Sequence, residues 1–333
     1  MKNKNLKAFS LIELSVVVLI VGVLIVAAIE SSRLIYKSKI KGARNLTTNS
    51  RVNNQEGLVF WYETSFTTSF TEDKMTDGSV VEQWNDHNPQ SPTKLNAFAG
   101  QESDSSIFTF NPASLAVSGT TSGPTYIKKG INGLPTLRFS NNGSLAYRYL
   151  AVDSKMRNTP QESMQLFMVV NYRGGEGYLM DRVCKDASGA PVDTNCGSSL
   201  SSGWPLFEPS VHSGALRSFI RHDSDNFASI GANSYDLPGH AMVPGKPVII
   251  TLERDYNHSF KTYVDGSELS SVADSGETIA LDPYKIGRHY VNDTDNVDFD
   301  ISEILFFSGV MSKRDRGLIE EYLGKKYNIN VSH

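Results

Sequence analysis

Residues 7–29 read KAFSLIELSVVVLIVGVLIVAAI, and this stretch decides the first part of the fold. It contains no charged residue from Leu14 to Ile29. The segment from Phe9 to Ile29 would form a helix of about 31 Å at 1.5 Å per residue, which is enough to cross the hydrocarbon core of a bilayer. The sequence therefore predicts a membrane-spanning helix near the start of the chain.

Two features of this region argue against an ordinary secretory signal peptide. No small-residue cleavage site of the A-x-A type follows within a few residues of Ile29, because the chain continues as ESSRLIYKSKIKGARNL over residues 30–46. Glu13 also lies at the head of the apolar stretch, where a carboxylate without a partner costs a few kcal/mol. Glu13 therefore needs a specific role.

The basic leader of residues 1–8 and the apolar segment behind it together resemble the type III signal of type IV prepilins and pseudopilins. The resemblance implies that a prepilin peptidase cuts between Ala8 and Phe9, which leaves Phe9 as the amino-terminal, commonly N-methylated residue. It also implies that Glu13 pairs with the new amino terminus of a neighbouring subunit during assembly. Such a pair is strong in a helix bundle of low dielectric only when both charges are present.

The segment departs from that family's usual pattern at two points. The residue before the cut is usually Gly, whereas this chain has Ala8, and residues 9–56 contain no proline, whereas many pilins kink their long helix at one. The second departure favours a minor pilin or a pseudopilin over a major fibre subunit. Since positive charge flanks the apolar stretch on both sides, only the resemblance predicts the orientation. It implies a single-pass inner-membrane protein with the large domain in the periplasm or on a surface filament.

The segment after the apolar stretch is predicted to continue the helix as a stalk. It is polar and free of proline up to about residue 54, and TTNSRVNNQEG at residues 47–57 weakens the helix towards its end. We therefore expect one transmembrane and stalk helix over residues 9–54. Its partial apolar stripe is formed by Leu34, Ile35, Ile40 and Leu46.

Residues 57–333 are predicted to form one all-β sandwich. Apolar runs of strand length, rich in Val, Ile, Phe, Tyr and Thr, alternate with segments rich in Gly, Pro, Asn, Asp and Ser. VDG at 264–266 and YRGGEGY at 172–178 predict hairpin turns. The predicted strands are LVFWYE (58–63), PTLRFS (135–140), MQLFMVVNY (164–172), LRSFIRH (216–222), PVIITLERD (247–255), FKTYVDG (260–266), YKIGRHY (284–290) and DISEILFFSG (300–309).

Several of these stretches, in this order, resemble the LamG-like or concanavalin A-like jelly rolls of bacterial surface proteins. They include EGLVFWYETSF, VVEQWNDHNPQ, INGLPTLRFSNNGSL, ITLERDYNHSFKTYVDGSEL and FDISEILFFSGVMSKRDRGLIEEYLGKKYNI. Trp84 to Asp86 matches the W-x-D signature of that family, and the chain ends with a similar helix. We expect Trp61, Trp84 and this helix to have structural roles.

The sequence also supports the final helix without any resemblance. Ser312 and Asp315 form a start that resembles a capping box. The predicted apolar face consists of Leu318, Ile319, Tyr322 and Leu323.

The composition restricts the partners and the chemistry. A net charge of −4 provides no basic excess, so no nucleic-acid binding is expected. Cys184 and Cys196 bound a turn-rich segment and would form a disulfide in an oxidising compartment; the alternative is two unrelated buried thiols. The scattered histidines and the single cysteine pair do not predict a zinc site.

Carboxylates near the end of the chain are the strongest indication of an enzyme. Asp298 and Asp300 alternate onto one strand face, and Glu303 joins them only across a bulge. Retaining glycosidases need two carboxyls about 5–5.5 Å apart. Because related jelly rolls without enzymatic activity carry a similar D-I-x-E run, no catalytic residue is predicted.

Two loops are candidate ligand sites. NDTDNVD places Asp293, Asp295 and Asp298 among asparagines, a set of oxygen ligands that suits calcium; the alternative is a solvated acidic loop, and no other cofactor is predicted. Trp204, in a loop rich in Gly, Ser and Pro, could stack on a sugar ring or pack on the rim of the sandwich.

These patterns together predict a minor pilin-like subunit that displays a lectin-like domain for adhesion to a glycan or a protein. The alternative is a pseudopilin of a type II secretion system, whose sandwich contacts other subunits or cargo without binding glycans. In either case the expected partners are prepilin peptidase and, through the amino-terminal helix, other pilin or pseudopilin subunits.

Overall fold

A long helix, a β-sandwich and a short final helix make up the computed structural model of the chain, so the predicted fold class is confirmed. The structure describes residues 11–99, 123–140, 150–152, 160–161, 163–182, 207–212, 214–221, 227–230, 241–273, 279–280, 284–287 and 297–333.

The described elements run as follows in chain order. The helices are α1 (Leu11–Thr48) and α2 (Lys313–Tyr327), and short 3-10 turns lie at Arg51–Asn54, Glu72–Met75 and Ile131–Gly133. The first ten strands are β1 (Leu58–Glu63), β2 (Gln83–Trp84), β3 (Ala97–Ala99), β4 (Thr125–Ile127), β5 (Thr136–Phe139), β6 (Leu150–Val152), β7 (Pro160–Gln161), β8 (Met164–Gly174), β9 (Gly177–Tyr178) and β10 (Met180–Arg182). The others are β11 (Phe207–His212), β12 (Ala215–Arg221), β13 (Phe227–Ile230), β14 (Pro247–Arg254), β15 (Ser259–Val264), β16 (Ser267–Ala273), β17 (Ile279–Ala280), β18 (Tyr284–Ile286) and β19 (Asp298–Ser308).

An eight-stranded antiparallel sheet forms the centre of the molecule. Its order is β16-β15-β14-β8-β19-β5-β4, and β1 also pairs with β19. The two longest strands, β8 and β19, lie side by side with Phe167 opposite Leu305. Smaller sheets have the orders β10-β18-β6-β3-β2 and β13-β12-β11-β9, and β17 pairs with β7.

Both faces of the large sheet are covered, which makes this a three-layer structure. In β8, Leu166 and Met168 face the core shared with the smaller sheets, whereas Phe167 and Val169 face the two helices. A strand that is buried on both faces needs apolar residues at successive positions. This explains why β8 appears in the sequence as the continuous run MQLFMVVNY.

All eight predicted strands contain an observed strand, but one of the two predicted hairpins is wrong. Asp265 (φ 50°) and Gly266 (φ 82°) form the tight turn between β15 and β16, as predicted. The glycines of YRGGEGY instead lead from β8, in the large sheet, to β9, which pairs with β11 in a different sheet. This segment is a crossover between layers.

The final helix begins where the capping pattern predicts. The Ser312 hydroxyl accepts a hydrogen bond from the Asp315 N–H at 3.1 Å and donates one to the Asp315 carboxylate at 2.8 Å. Ile319 and Leu323 are buried against the sheet, but Leu318 is 39% exposed, so its assignment to the apolar face is wrong.

The W-x-D signature has a structural role in this chain. Trp84 is fully buried, and its indole N–H donates to the Glu63 carbonyl at 3.1 Å. The Asp86 carboxylate accepts backbone N–H bonds from Trp61, Asn88 and Leu95 at 2.8–3.1 Å. One side chain thereby fixes the loop around β2 to β1.

The stalk half of α1 docks on the sandwich through a stripe that shares only Ile40 with the predicted one. Leu34 and Ile35 are about two-thirds exposed, at 65% and 68%, and Leu46 is 38% exposed. The buried positions are Ile40, Ala43 and Thr47, with Tyr36 partly buried. The spacing i, i+4, i+7, i+11 places these four residues on one face of a helix. Small and polar residues carry part of this contact, which a search for large apolar side chains misses.

Candidate functional site

The first half of α1 is an apolar helix that does not contact the rest of the chain. Its best 18-residue window has a mean hydropathy of 3.0 and no buried residue, so within the described residues this is the one helix that could span a membrane by length and composition. The exposed fractions of its large apolar side chains range from 47% at Val16 to 85% at Leu11. A surface of this kind requires lipid or neighbouring helices to cover it.

Glu13 is the acidic residue in the first described turn of α1, at the far end of the helix from the sandwich. Because Ala8 and Phe9 lie outside the described residues, the structure does not bear on the predicted cleavage site.

The second half of α1 is held on the sandwich by polar contacts along its length. Arg44 donates from Nε to the Ser65 carbonyl at 2.7 Å, and Lys39 donates to Asn132 Oδ1 at 3.1 Å. The Tyr36 hydroxyl reaches the Lys128 carbonyl at 3.3 Å.

The strongest junction is a buried ammonium group. Lys326 of α2 is fully buried, and its Nζ donates to Glu63 Oε1 at 2.5 Å, Glu303 Oε2 at 2.8 Å and Thr47 Oγ1 at 2.8 Å. These partners belong to β1, β19 and the last turn of α1. One side chain thus connects the stalk, the central sheet and the final helix.

The remaining oxygens of the two carboxylates have their own donors. Glu303 also accepts bonds from Tyr322, Tyr327 and the Trp61 indole N–H at 2.6–2.9 Å. Glu63 accepts backbone N–H bonds from Ser65 and Phe66, both at 2.9 Å. Burial alone would raise the pKa of Glu63, but Lys326 and these N–H groups hold it below its ordinary value. Burial raises the pKa of Glu303 against the opposing effect of Lys326, and the Glu63 carboxylate adds to the rise.

The same geometry removes the glycosidase candidate. A register shift between Ile301 and Glu303 places Asp300 and Glu303 on the same side of the sheet, across the bulge that the spacing required. Asp300 is nearly buried and forms a two-point ion pair with Arg138 at 2.7 and 3.1 Å. Glu303 lies beneath α2. Since both carboxylates are buried in ion pairs, neither can reach a sugar ring.

Most of the predicted site residues lie outside the described ranges. Asp298 is described and begins β19 opposite Gly174. Among the residues that the structure describes, no group of three or more His, Cys, Asp or Glu side chains could hold a metal ion. The site residues on which the structure does not bear are Ala8, Phe9, Cys184, Cys196, Trp204, Asp293 and Asp295.

A groove of about 540 Å³ lies between the stalk and the sandwich. The sequence did not predict this groove. Its cations are Lys37, Lys41 and Arg44 of α1, together with Lys128 from the turn after β4. The spacing i, i+4, i+7 of the first three indicates, from the sequence alone, that they share one face of the helix. Only the fold shows that this face of the helix borders a cavity.

Comparisons with known proteins find likeness at the level of architecture. No family model matches the chain, and no curated protein matches it. The binding domain of Paraclostridial Mosquitocidal Protein 1 matches at 11% identity and a TM-score of 0.48, over 80% of this chain and 52% of that one. A botulinum neurotoxin type C structure, described by its interaction with two ganglioside molecules, matches at 12% identity and a TM-score of 0.47. This match covers 82% of this chain and 52% of that one. The binding domain of botulinum neurotoxin serotype D matches at 10% identity and a TM-score of 0.46. This match covers 80% of this chain and 50% of that one. The chain spans about half the length of these structures.

Substituting Lys326 by Met will destabilise the protein by about 3–5 kcal/mol, because two buried carboxylates lose their shared ammonium. The measurement is urea unfolding of the full chain in detergent micelles, followed by tryptophan fluorescence, since Trp61 contacts the cluster.

Lys325→Met is the matched control. Lys325 is exposed and forms an i,i+4 pair with Glu321 at 3.2 Å, so its loss should cost less than about 0.5 kcal/mol. Equal unfolding midpoints for the two variants would show that the buried cluster does not hold the layers together.

Proposed function

We propose that this protein is a membrane-anchored, pilin-like assembly subunit that displays its sandwich outside the cytoplasm. The observation that carries the proposal is the division of α1 into two halves. The first is apolar and exposed on all sides, and the second is fixed to the sandwich through Ile40, Ala43 and Thr47. A rigid handle of this kind transmits position from a helix bundle to the domain that it carries.

The apolar half suits two environments in succession. Before assembly, lipid covers it, because about 20 apolar residues match the thickness of a bilayer. After assembly, the apolar halves of neighbouring subunits cover one another. Glu13 gives the second state its specificity, since a carboxylate within an apolar bundle is stable only beside an opposite charge. The new amino terminus at Phe9 of an adjacent subunit would supply that charge.

The buried Lys326 cluster fits this role because a subunit in a filament bears load through its stalk. Thr47 lies in the last turn of α1 and accepts a hydrogen bond from Lys326. Arg44, one turn earlier, bonds to the Ser65 carbonyl. Force along α1 therefore passes directly to β1 and β19, the centre of the large sheet.

The processing part of the proposal predicts a defined mature amino terminus. In cells that contain prepilin peptidase, mass spectrometry of the purified protein should find a chain that begins at Phe9 with an N-methyl group. A mature protein that retains Met1 would falsify the prepilin assignment. The variant Ala8→Gly, which restores the residue usual before the cut, should be processed at least as completely as the natural chain.

The assembly part predicts that Glu13→Ala is processed and inserted into the membrane but is absent from sheared filaments or pseudopili. Immunoblots of the membrane and sheared fractions measure the two pools. Glu30→Ala is the matched control, because Glu30 is exposed and pairs with Arg33 three residues later at 2.8 Å. Normal incorporation of Glu13→Ala would remove the pairing role.

We further propose that the displayed sandwich binds a glycan through the Trp204 loop, with calcium at Asp293, Asp295 and Asp298. A glycan array should detect binding in calcium and its loss both in chelator and in Trp204→Ala. Tyr256→Ala, which removes a 63% exposed aromatic elsewhere, should bind normally. If no glycan binds in either buffer, the sandwich serves contacts with subunits or cargo, as in a secretion pseudopilin.

A further inference from the structure

We propose that the groove between α1 and the sandwich binds the phosphate of an anionic phospholipid headgroup at the membrane surface. The proposal rests on the membrane anchoring proposed above. It assigns a ligand to Lys37, Lys41 and Lys128, which the assembly role does not use, and to the terminal nitrogens of Arg44.

The groove collects positive charge, and no carboxylate is among the described residues that line it. Lys37, Lys41 and Lys128 are exposed, and Arg44 is half-buried. None of the four forms a salt bridge with any residue that the structure describes. Asp77 accepts the backbone N–H of Lys128 at 2.7 Å, and its charge also acts on Tyr36 and Tyr126 of the groove wall. Like charges one turn apart on a helix repel one another, so the arrangement is unfavourable until an anion enters.

The polar groups of the groove suit a phosphate. Arg44 uses Nε for the Ser65 carbonyl, which fixes the guanidinium and leaves its terminal nitrogens free to donate. Lysine ammonium groups contribute as point charges, and a guanidinium adds directional N–H donors for phosphate oxygens. Tyr36 lines the same wall, where the Lys128 ammonium lies 5.4 Å from the centre of its ring. The pKa of Tyr36 is raised, chiefly by burial, so its hydroxyl stays neutral next to an anion.

The groove begins near the membrane end of the stalk. Lys37 follows Ile29, the last residue of the uncharged apolar stretch, by eight positions, which is about 12 Å along a helix. The headgroup layer extends roughly 5–8 Å beyond the hydrocarbon core. Side chains of a helix lean towards its amino-terminal end, here towards the membrane, and tilting of the helix lowers them further. Lys37 is therefore the cation of the groove nearest the headgroup layer, and Lys41 and Arg44 lie about 6 and 10.5 Å farther from it along the helix.

The distribution of charge along the chain favours lipid over a soluble anion. Residues 30–51 contain six basic side chains and one acidic one, whereas residues 52–333 contain 11 more acidic than basic side chains. An anionic membrane surface attracts the first segment and repels the second. This field holds the stalk against the surface and the sandwich away from it.

The test uses the full chain in a neutral detergent. Short-chain phosphatidylglycerol, short-chain phosphatidylcholine, glycerol 3-phosphate and inorganic phosphate are each titrated by calorimetry. Phosphatidylglycerol should bind at least roughly tenfold more tightly than the other three probes. The double variant Lys37→Gln/Lys41→Gln should weaken this binding by roughly tenfold or more, given the contribution of each lysine near an anionic surface.

The pair Lys313→Gln and Lys325→Gln, made together, is the matched control, because it also removes two exposed lysine charges but from α2 and outside the groove. It should bind within about twofold of the natural chain. Equal affinity for free phosphate would identify a soluble anion and overturn the lipid assignment, as would a double variant that binds normally. If phosphatidylglycerol does not bind and the double variant instead abolishes salt-sensitive self-association, the occupant is a second copy of the chain.

This experiment is independent of the assembly proposal. Titration in micelles requires neither cleavage before Phe9 nor incorporation into a filament. If the chain binds phosphatidylglycerol but retains Met1 in cells, the groove assignment stands and the prepilin assignment fails. If the chain is cleaved before Phe9 but does not bind phosphatidylglycerol, the prepilin assignment stands and the groove assignment fails.

Discussion

The buried ammonium of Lys326 is the interaction on which the arrangement of layers depends. A charge removed from water is tolerated only when its partners satisfy it, and here Glu63, Glu303 and Thr47 do so from three different elements. Two carboxylates for one ammonium leave an excess of negative charge, which the hydroxyls of Tyr322 and Tyr327 moderate by donating to Glu303. Displacing α1 or α2 would leave part of this network without partners, so the cluster defines one relative position for the helices and the sheet.

The two faces of the large sheet have different functions because they are covered by different layers. The inner face, with Leu166 and Phe306, packs on the smaller sheets and forms a core that any sandwich of this type needs. The outer face, with Phe167 and Leu305, is covered by α2 and the stalk. Covering the outer face with the stalk turns a free-standing sandwich into a domain with a fixed handle. Coupling between α1 and the sandwich therefore follows from ordinary burial of apolar surface.

Periodicity and turn chemistry are local properties, and they were sufficient for the elements of the fold. The run MQLFMVVNY, the cap at Ser312 and the turn at Asp265 and Gly266 each lie where the sequence indicates. Local properties do not predict contacts between residues that are far apart in the sequence. Glu63 and Lys326 are 263 residues apart, and neither has an unusual local context. The prediction that Leu34 and Ile35 face the sandwich was wrong, because apolar side chains on a stalk are not required to face it. Ala43 and Thr47 are buried against it instead.

The candidate site shows the same difference between local patterns and contacts over long sequence separations. The apolar helix could be recognised from the sequence, and the role of Glu13 stays a prediction that rests on the cost of a charge at the head of an apolar stretch. The groove could not be recognised from the sequence, since Lys37, Lys41 and Arg44 on their own form a solvated helix face. They become a site only when α1 is fixed against Lys128 and Tyr126, which line the opposite wall. The contacts at Thr47, Arg44 and Tyr36 fix α1 there, so the interactions that hold the stalk in place also create the cationic groove.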